Sequence, residues 1–259
     1  MTHRPPGRII RSNALFRKKY HALKNGDCII GRLNLKNSEE SLFLDLVERG
    51  ILLIPSALSQ QLSRSKCMQA LVYERFMLPG TTVVRSRHEL VACIERFGRA
   101  GTEKVITKQD RLDCGLGINC WDTVEEVYNA VCFGNLEFPF VMQPLVSDAT
   151  DIRVIIIGDY IEAYWRKSRV SFRNNLHFGG ESGQYSLSPE QVDMCRKVMT
   201  RGKFPYAHID LLLTQEDSFF LSEISLRGGI RGARITPAEY RDRIDAVHKQ
   251  MVRDIIPNP

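Results

Sequence analysis

Two carboxylates lie inside apolar runs of this 259-residue chain: Asp210 in Ala207-His-Ile-Asp-Leu-Leu-Leu213, and Glu223 in Phe219-Phe-Leu-Ser-Glu-Ile-Ser225. Acidic residues are poor strand formers and costly to bury, so two of them in neighbouring runs call for compensating charge. The polar stretch Gln215-Glu216-Asp217-Ser218 reads as a hairpin connection. A turn centred between Glu216 and Asp217 sets Asp210 opposite Glu223 and His208 opposite Ser225. Because side chains alternate along a strand, His208, Asp210, Glu223 and Ser225 then share one face, and Ile209, Leu211, Leu213, Phe220 and Ile224 the other. Like charges opposed across a ladder repel; a divalent cation between them relieves this, and so do ion pairs with nearby arginines.

Other residues suit chemistry on a phosphate. Lys108 ends a strand of β-branched residues and leads into Asp110-Arg-Leu-Asp-Cys-Gly-Leu-Gly117, where glycines would let backbone N–H groups approach a polyphosphate beside a lysine charge. Lys66 opens a helix. The loop from Ser168 to Gly183 gathers Arg173, Asn174, Asn175 and His177, and Arg153 and Arg166 flank the strand pair before it. Guanidinium groups neutralise a transferring phosphoryl group, and carboxylates hold the magnesium that bridges its oxygens. Arg227, Arg231 and Arg234, interleaved with Gly228, Gly229 and Gly232, suit a carboxylate-bearing substrate or form a solvated turn.

The elements that position these residues follow from hydrophobic period and capping signals. Strands are expected at 27–31, 51–54, 81–84 and 104–108, and helices at 39–49 and 64–76. Capping boxes Ser86-x-x-Glu89 and Asp122-x-x-Glu125 open two more helices. From Phe138 the chain turns strand-rich, with apolar runs at 140–145, 152–157 and 160–165. Ser188-Pro189-x-Gln191 and Thr236-Pro237-x-Glu239 open the last two helices, on either side of the carboxylate hairpin. Helices and strands that neither alternate throughout nor segregate predict an α+β architecture of two lobes with a cleft between them.

Composition sets the outer limits. With 43% hydrophobic and 25% charged residues the chain is an ordinary globular protein, and its longest apolar runs are far too short to span a bilayer. A cytoplasmic location without membrane contact is expected. The seven cysteines are odd in number and show no Cys-x-x-Cys spacing, which predicts reduced thiols. The net charge of +6 is concentrated in residues 1–36, which hold nine Lys/Arg against one acid. This segment is expected to be a partly mobile arm, and its lack of interleaved aromatics argues against a nucleic-acid surface.

Taken in order, Asp151-Ile-Arg153-Val-Ile-Ile-Ile-Gly158, Arg166, Phe172-Arg-Asn-Asn-Leu-His-Phe-Gly-Gly180, Ala207-x-x-Asp210 and Glu223-Ile-Ser225 resemble the ATP-grasp superfamily over residues 60–235. The resemblance is strongest to its RimK-like ligases, which add glutamate to a carboxylate. It implies an ATP-grasp fold of two α+β lobes gripping ATP, with a basic arm and short α/β unit at 1–62, a first lobe at 63–135 and a second at 136–259. It implies that Lys66 and Lys108 reach ATP phosphates, that Gly115 and Gly117 belong to a glycine-rich lid, and that Met142, Gln143 and Leu145 form the adenine hinge. Asp151 and Arg153 join the nucleotide site, and Arg166, Arg173 and Asn175 stand near the γ-phosphate and substrate. Asp210, Glu223 and Ser225 are the implied ligands of magnesium, with manganese as a substitute. The family normally has asparagine where this chain has Ser225, and the N-terminal lobe is short for these ligases. The implied activity is ATP-dependent amide formation from a small-molecule or peptide carboxylate and an amine; a homo-oligomer is compatible with it. The alternative is an ATP-binding protein without ligase activity that contacts a partner through the basic arm.

Overall fold

The computed structural model describes residues 7–112, 115–168 and 180–255. An N-terminal unit holds a parallel three-stranded sheet of β1 (Ile9–Ile10), β2 (Cys28–Ile30) and β3 (Leu52–Ile54), with α1 (Asn13–Lys19) and α2 (Ser41–Glu48) between strands. The basic segment is therefore folded from residue 7 onward, contrary to the expected mobile arm. Burial of Ile10, Phe16 and Leu23 holds it in place. Asp27, fully buried, accepts from the amides of Arg8 and Lys24, so the acid in this basic stretch is a structural tie. After it come α3 (Ala57–Leu62), which the hydrophobic period did not reveal, and α4 (Lys66–Val72).

The first lobe is an antiparallel sheet built from β4 (Thr82–Val84), β5 (Val105–Gln109), β6 (Ile118–Trp121) and β7 (Phe140–Pro144), in the order β4-β7-β5-β6. Two helices, α5 (Arg87–Arg99) and α6 (Val124–Cys132), cover one face, where Leu90, Phe97, Val127 and Val131 bury with Val105, Phe140 and Met142. Ser86 caps α5 as expected; α6 is capped by Thr123, one residue beyond the expected Asp122. The other face carries Ile106, Lys108 and Gln143 toward the cleft, as strand alternation requires. β7 thus pairs in the first lobe's sheet although it lies beyond the expected boundary at 135.

The second lobe is a five-stranded antiparallel sheet in the order β10-β9-β8-β11-β12, from β8 (Thr150–Ile157), β9 (Tyr160–Lys167), β10 (Glu181–Gln184), β11 (Tyr206–Leu213) and β12 (Phe219–Ser225). Its core face, with Ile152, Val154, Ile209, Leu211 and Ile224, buries with Met194, Cys195 and Val198 of α7 (Pro189–Gly202). The last helix, α8 (Pro237–Ile255), adds Tyr240, Ile244 and Val247 to the same cluster. The outer edge of β12 is closed by a side chain: the Gln69 amide donates to Ile224 O at 3.0 Å and accepts from Ile224 N at 2.9 Å.

Candidate active site

The hairpin has the expected pairing at its site end: His208 opposes Ser225 and Asp210 opposes Glu223. Beyond Asp210 the register slips by one, so Leu211 opposes Leu221 and Leu212 opposes Phe220. The turn is longer than expected, with Asp217 in the left-handed region and Thr214 N donating to Ser218 O. The slip is a β-bulge that places Leu221, not Phe220, in the core. Leu221 and Ile224 are both buried, which leaves two consecutive residues, Ser222 and Glu223, on the cleft side. Sequence reasoning missed Ser222; the three-residue spacing of Leu221 and Ile224 was the available signal.

Alternation on three strands builds the floor of the cleft. Arg166 on β9 opposes Asp151 on β8, and Arg153 on β8 opposes Asp210 on β11. Arg153 grips Asp210 through Nε and, at 2.9 Å, through Nη2. Arg166 Nε donates to Asp151 at 2.6 Å, and its Nη2 lies 2.9 Å from Asp210. These four side chains are nearly sealed from water, so two cations and two anions neutralise one another in a low dielectric. Burial would raise the Asp210 carboxyl, but the guanidinium groups of Arg153 and Arg166 outweigh it and hold Asp210 well below the usual carboxylate range. For Asp151 burial prevails over Arg166 and pushes the carboxyl up to about 6. Tyr164 and Glu162 continue the same face of β9; Glu162 accepts from the amides of Arg234 and Ile235 and anchors the entry to α8.

A second cluster lies where the first lobe meets β12. Lys108 Nζ donates to Ser222 O at 3.3 Å and to Ser222 Oγ at 3.2 Å. Burial lowers its ammonium to about 8 against the attraction of Glu223, and Lys66 repels it further. Lys66, the first residue of α4, donates to Leu112 O and lies 3.7 Å from Glu223. Asp110 ties the adjoining loop to the start of α4, accepting from Ser65 Oγ and Cys67 N. Gly117 has φ +71°, and a Cβ there would meet Gln109 and Leu112 at 2.7 and 2.6 Å, so the β5–β6 connection needs glycine at this point.

The cleft between the lobes measures about 1030 Å3 and brings Lys108, Gly115, Gln143, Leu145, Asp151, Arg153, Arg166, Asp210, Glu223 and Ser225 to its walls. Met142 is a correction: its side chain is fully buried in the first-lobe core, because alternation on β7 turns Gln143 toward the cleft instead. Arg173 and Asn175 lie outside the described residues. Asp210, Glu223 and Ser225 offer only oxygen donors, which suits a small hard cation such as magnesium. Glu223 is the accessible member, its side chain 33% exposed against 14% for Asp210, and Ser225 Oγ donates to Arg227 O at 2.8 Å. Among the described residues no group of three or more His, Cys, Asp or Glu side chains is placed to hold a metal by itself. The donor set therefore fits an ion whose remaining ligands are phosphate oxygens and water. No helix among the described residues is long and apolar enough to cross a membrane.

Comparison with known proteins agrees with this architecture. A "probable alpha-L-glutamate ligase" of Trichodesmium erythraeum (strain IMS101) is 23% identical over 220 residues, covering 82% of this chain and 72% of that protein. A "ribosomal protein bS6--L-glutamate ligase" of Shigella boydii serotype 4 (strain Sb227) is 24% identical over 185 residues, 70% of this chain and 60% of that one. The crystal structure of D-cycloserine synthetase DcsG superposes with a TM-score of 0.63 at 13% identity, over 86% of this chain and 84% of that one, a likeness of fold. The model of the RimK-like ATP-grasp domain matches residues 62–247, from the end of α3 to within α8, and so takes in both lobes and every cleft residue described above. The chain belongs to the RimK-like ATP-grasp family.

Proposed function

We propose that the chain is an ATP-dependent carboxylate-amine ligase: ATP phosphorylates a carboxylate, and an amine attacks the acyl phosphate to give an amide, ADP and phosphate. The carboxylate belongs to a small molecule or peptide, and the amine to an amino acid or peptide; the names of the relatives support glutamate as that amine. The observation that carries this reading is that Lys108, an accessible carboxylate, Glu223, with Lys66 3.7 Å behind it, and a neutralised Asp–Arg lattice meet at a single cleft.

Each group has a task set by its surroundings. Lys66 and Lys108 concentrate positive charge at one end of the cleft, where the phosphates of the nucleotide would lie. The adenine end is formed by Gln143 and Leu145, the latter fixed by its amide donating to Lys104 O at 2.9 Å. Arg166, held rigidly by Asp151 and Asp210, points a fixed guanidinium at the centre of the cleft floor. Magnesium bound by Glu223 and Asp210 would supply charge neutralisation across the phosphate oxygens. Stabilisation is electrostatic throughout, and no covalent intermediate with the protein is involved. Glu223→Gln and Lys108→Ala should each abolish ADP release that depends on added carboxylate and amine. Turnover surviving in both variants would refute the proposal.

A further inference from the structure

The cleft wall carries more positive charge than the phosphate chemistry uses. Among its described residues seven are Lys or Arg and four are Asp or Glu. Arg32, Arg227 and Arg231 account for the surplus; all three are exposed, and they come from two distant segments. Arg32 follows β2 in the N-terminal unit and lies outside the residues that match the family model. Arg227 and Arg231 belong to the glycine-containing segment after β12.

Both segments are fixed by their backbones. Gly31 N donates to Ile54 O at 2.7 Å, Leu33 N to the buried Gln60 Oε1 at 2.7 Å, and Asn13 Nδ2 to Arg32 O at 3.0 Å, so the chain is held on each side of Arg32. Leu226 N donates to Ser63 Oγ at 2.9 Å, Ser225 Oγ to Arg227 O at 2.8 Å, and the amides of Arg234 and Ile235 close the second segment on Glu162. Gly228 lies directly on the floor: a Cβ there would stand 2.6 Å from His208 Nδ1 and 2.6 Å from Arg153 Nη1. The two segments meet near Tyr240, in the first turn of α8, whose hydroxyl lies 2.8 Å from His208 Nε2. Burial pushes this phenol above its ordinary range while the charges of Arg32, Arg227 and Arg153 pull it back, so arginines from both segments act on one group.

The hairpin sets this charge apart from the phosphate end. Along β12 and past it, Ser222 meets Lys108, Glu223 opposes Asp210, Ser225 opposes His208, and Arg227 follows. Residues two apart on a strand stand about 7 Å from one another, and Arg227 continues the chain beyond Ser225. One carboxylate therefore cannot serve both Glu223's metal and Arg227. An extended acidic peptide repeats its same-face carboxylates at about this spacing, and the guanidinium fork pairs with each of them. Resting on the ligase reading, we propose that Arg32, Arg227 and Arg231 form a subsite for further carboxylates of the acceptor, which is an acidic peptide. The N-terminal unit thus takes part in choosing the substrate, through Arg32.

The test measures calorimetric binding of Glu-Glu-Glu, Ala-Ala-Ala and Ala-phosphoserine-Ala to the full chain with magnesium-ADP at low salt. The wild type should prefer Glu-Glu-Glu. Arg32→Gln and Arg227→Gln should each shrink its preference over Ala-Ala-Ala about fivefold, the scale of one exposed charged contact, and Arg227→Glu should remove it. Equal affinity for these two peptides in the wild type, or an undiminished preference in both Gln variants, overturns the subsite. Tighter binding of the phosphoserine peptide than of Glu-Glu-Glu overturns the carboxylate assignment. ADP release from magnesium-ATP with L-glutamate as the amine tests the underlying reading separately. A wild type that binds Glu-Glu-Glu through these arginines and releases no ADP with any peptide refutes the ligase reading and leaves an acidic-peptide site. Release as efficient with Ala-Ala-Ala as with Glu-Glu-Glu refutes the subsite and leaves the ligase.

Discussion

The two charged clusters of the cleft are built on opposite principles. On the floor, Asp151, Arg153, Arg166 and Asp210 are matched two against two, largely buried, and joined by Arg–Asp contacts of hydrogen-bond length. At the lysine end, Lys66 and Lys108 face Glu223, Lys66 at 3.7 Å, and burial already works against the ammonium of Lys108. The floor is electrically complete and fixes geometry. The lysine end carries positive charge beyond what its carboxylate offsets, and a polyanion completes it. Rigidity and affinity are thus assigned to different halves of one cleft.

Breaking the complete half should have the largest effect. Arg166→Met leaves Asp151 and Asp210 to share Arg153, and removing one partner from a buried ionic group costs about 3–5 kcal/mol. Urea unfolding should register that loss. A loss below about 1 kcal/mol, the worth of an exposed pair, would place the floor on the same footing as a surface salt bridge and erase the contrast. Lys108→Ala tests the incomplete half. Removing an ammonium that burial disfavours should leave stability unchanged or raised, while affinity for magnesium-ATP falls about a hundredfold, or about 2.7 kcal/mol. Destabilisation equal to that of Arg166→Met would show that the lysine is structural after all.

The same contrast predicts a dependence on pH. With its ammonium lowered to about 8, Lys108 loses its proton in the folded, nucleotide-free chain well below the ordinary lysine range. ATP affinity should therefore decline as pH rises through about 8. The contribution to stability has the opposite sign: the penalty for burying the charge is present in full below about 8 and fades toward the unfolded value of 10.5. Lys108→Arg, charged throughout this range, should flatten the affinity profile; an unaltered profile would assign the dependence to another group. Asp210, held ionised by Arg153 and Arg166, contributes stability that persists until strongly acidic pH.

The two halves also differ in how far the sequence reveals them. The hairpin that carries Asp210 was legible because strand alternation and a hairpin's symmetry are local rules: Asp210 opposite Glu223 follows from counting outward from a turn, whereas the pairing of Asp151 with Arg166 and of Arg153 with Asp210 needed the strand neighbours. The bulge at Ser222 was not, since one extra residue in β12 is accommodated by a turn longer than the expected one. Met142 failed for a related reason, as a hinge assignment names a segment whereas alternation selects only Gln143 from it for the cleft. Charge misled at the N-terminus, where the density of basic residues outweighed the few apolar ones, Ile10, Phe16 and Leu23, that fold the segment. The tie between Asp110 and the start of α4 spans more than 40 residues of sequence, and no local pattern reports it.

Ser225 should give the smallest effect, and it tests where the two halves meet. It closes the cleft face of β12 opposite His208, and its hydroxyl is spent on the carbonyl of Arg227. Asparagine at this position reaches further and presents a carbonyl oxygen, a stronger ligand for a hard cation than a hydroxyl engaged as a donor. Ser225→Asn should therefore tighten magnesium binding several-fold in the presence of ATP, read from the metal dependence of nucleotide binding, and leave urea stability within about 0.5 kcal/mol, as for substitutions away from buried networks. An unchanged metal dependence would place residue 225 outside the coordination sphere and leave Glu223 as the principal anion of the incomplete half. A large fall in stability would mean instead that the Ser225–Arg227 bond fixes the glycine segment over His208, and that the boundary between the rigid and the receptive halves runs through that segment rather than along β12.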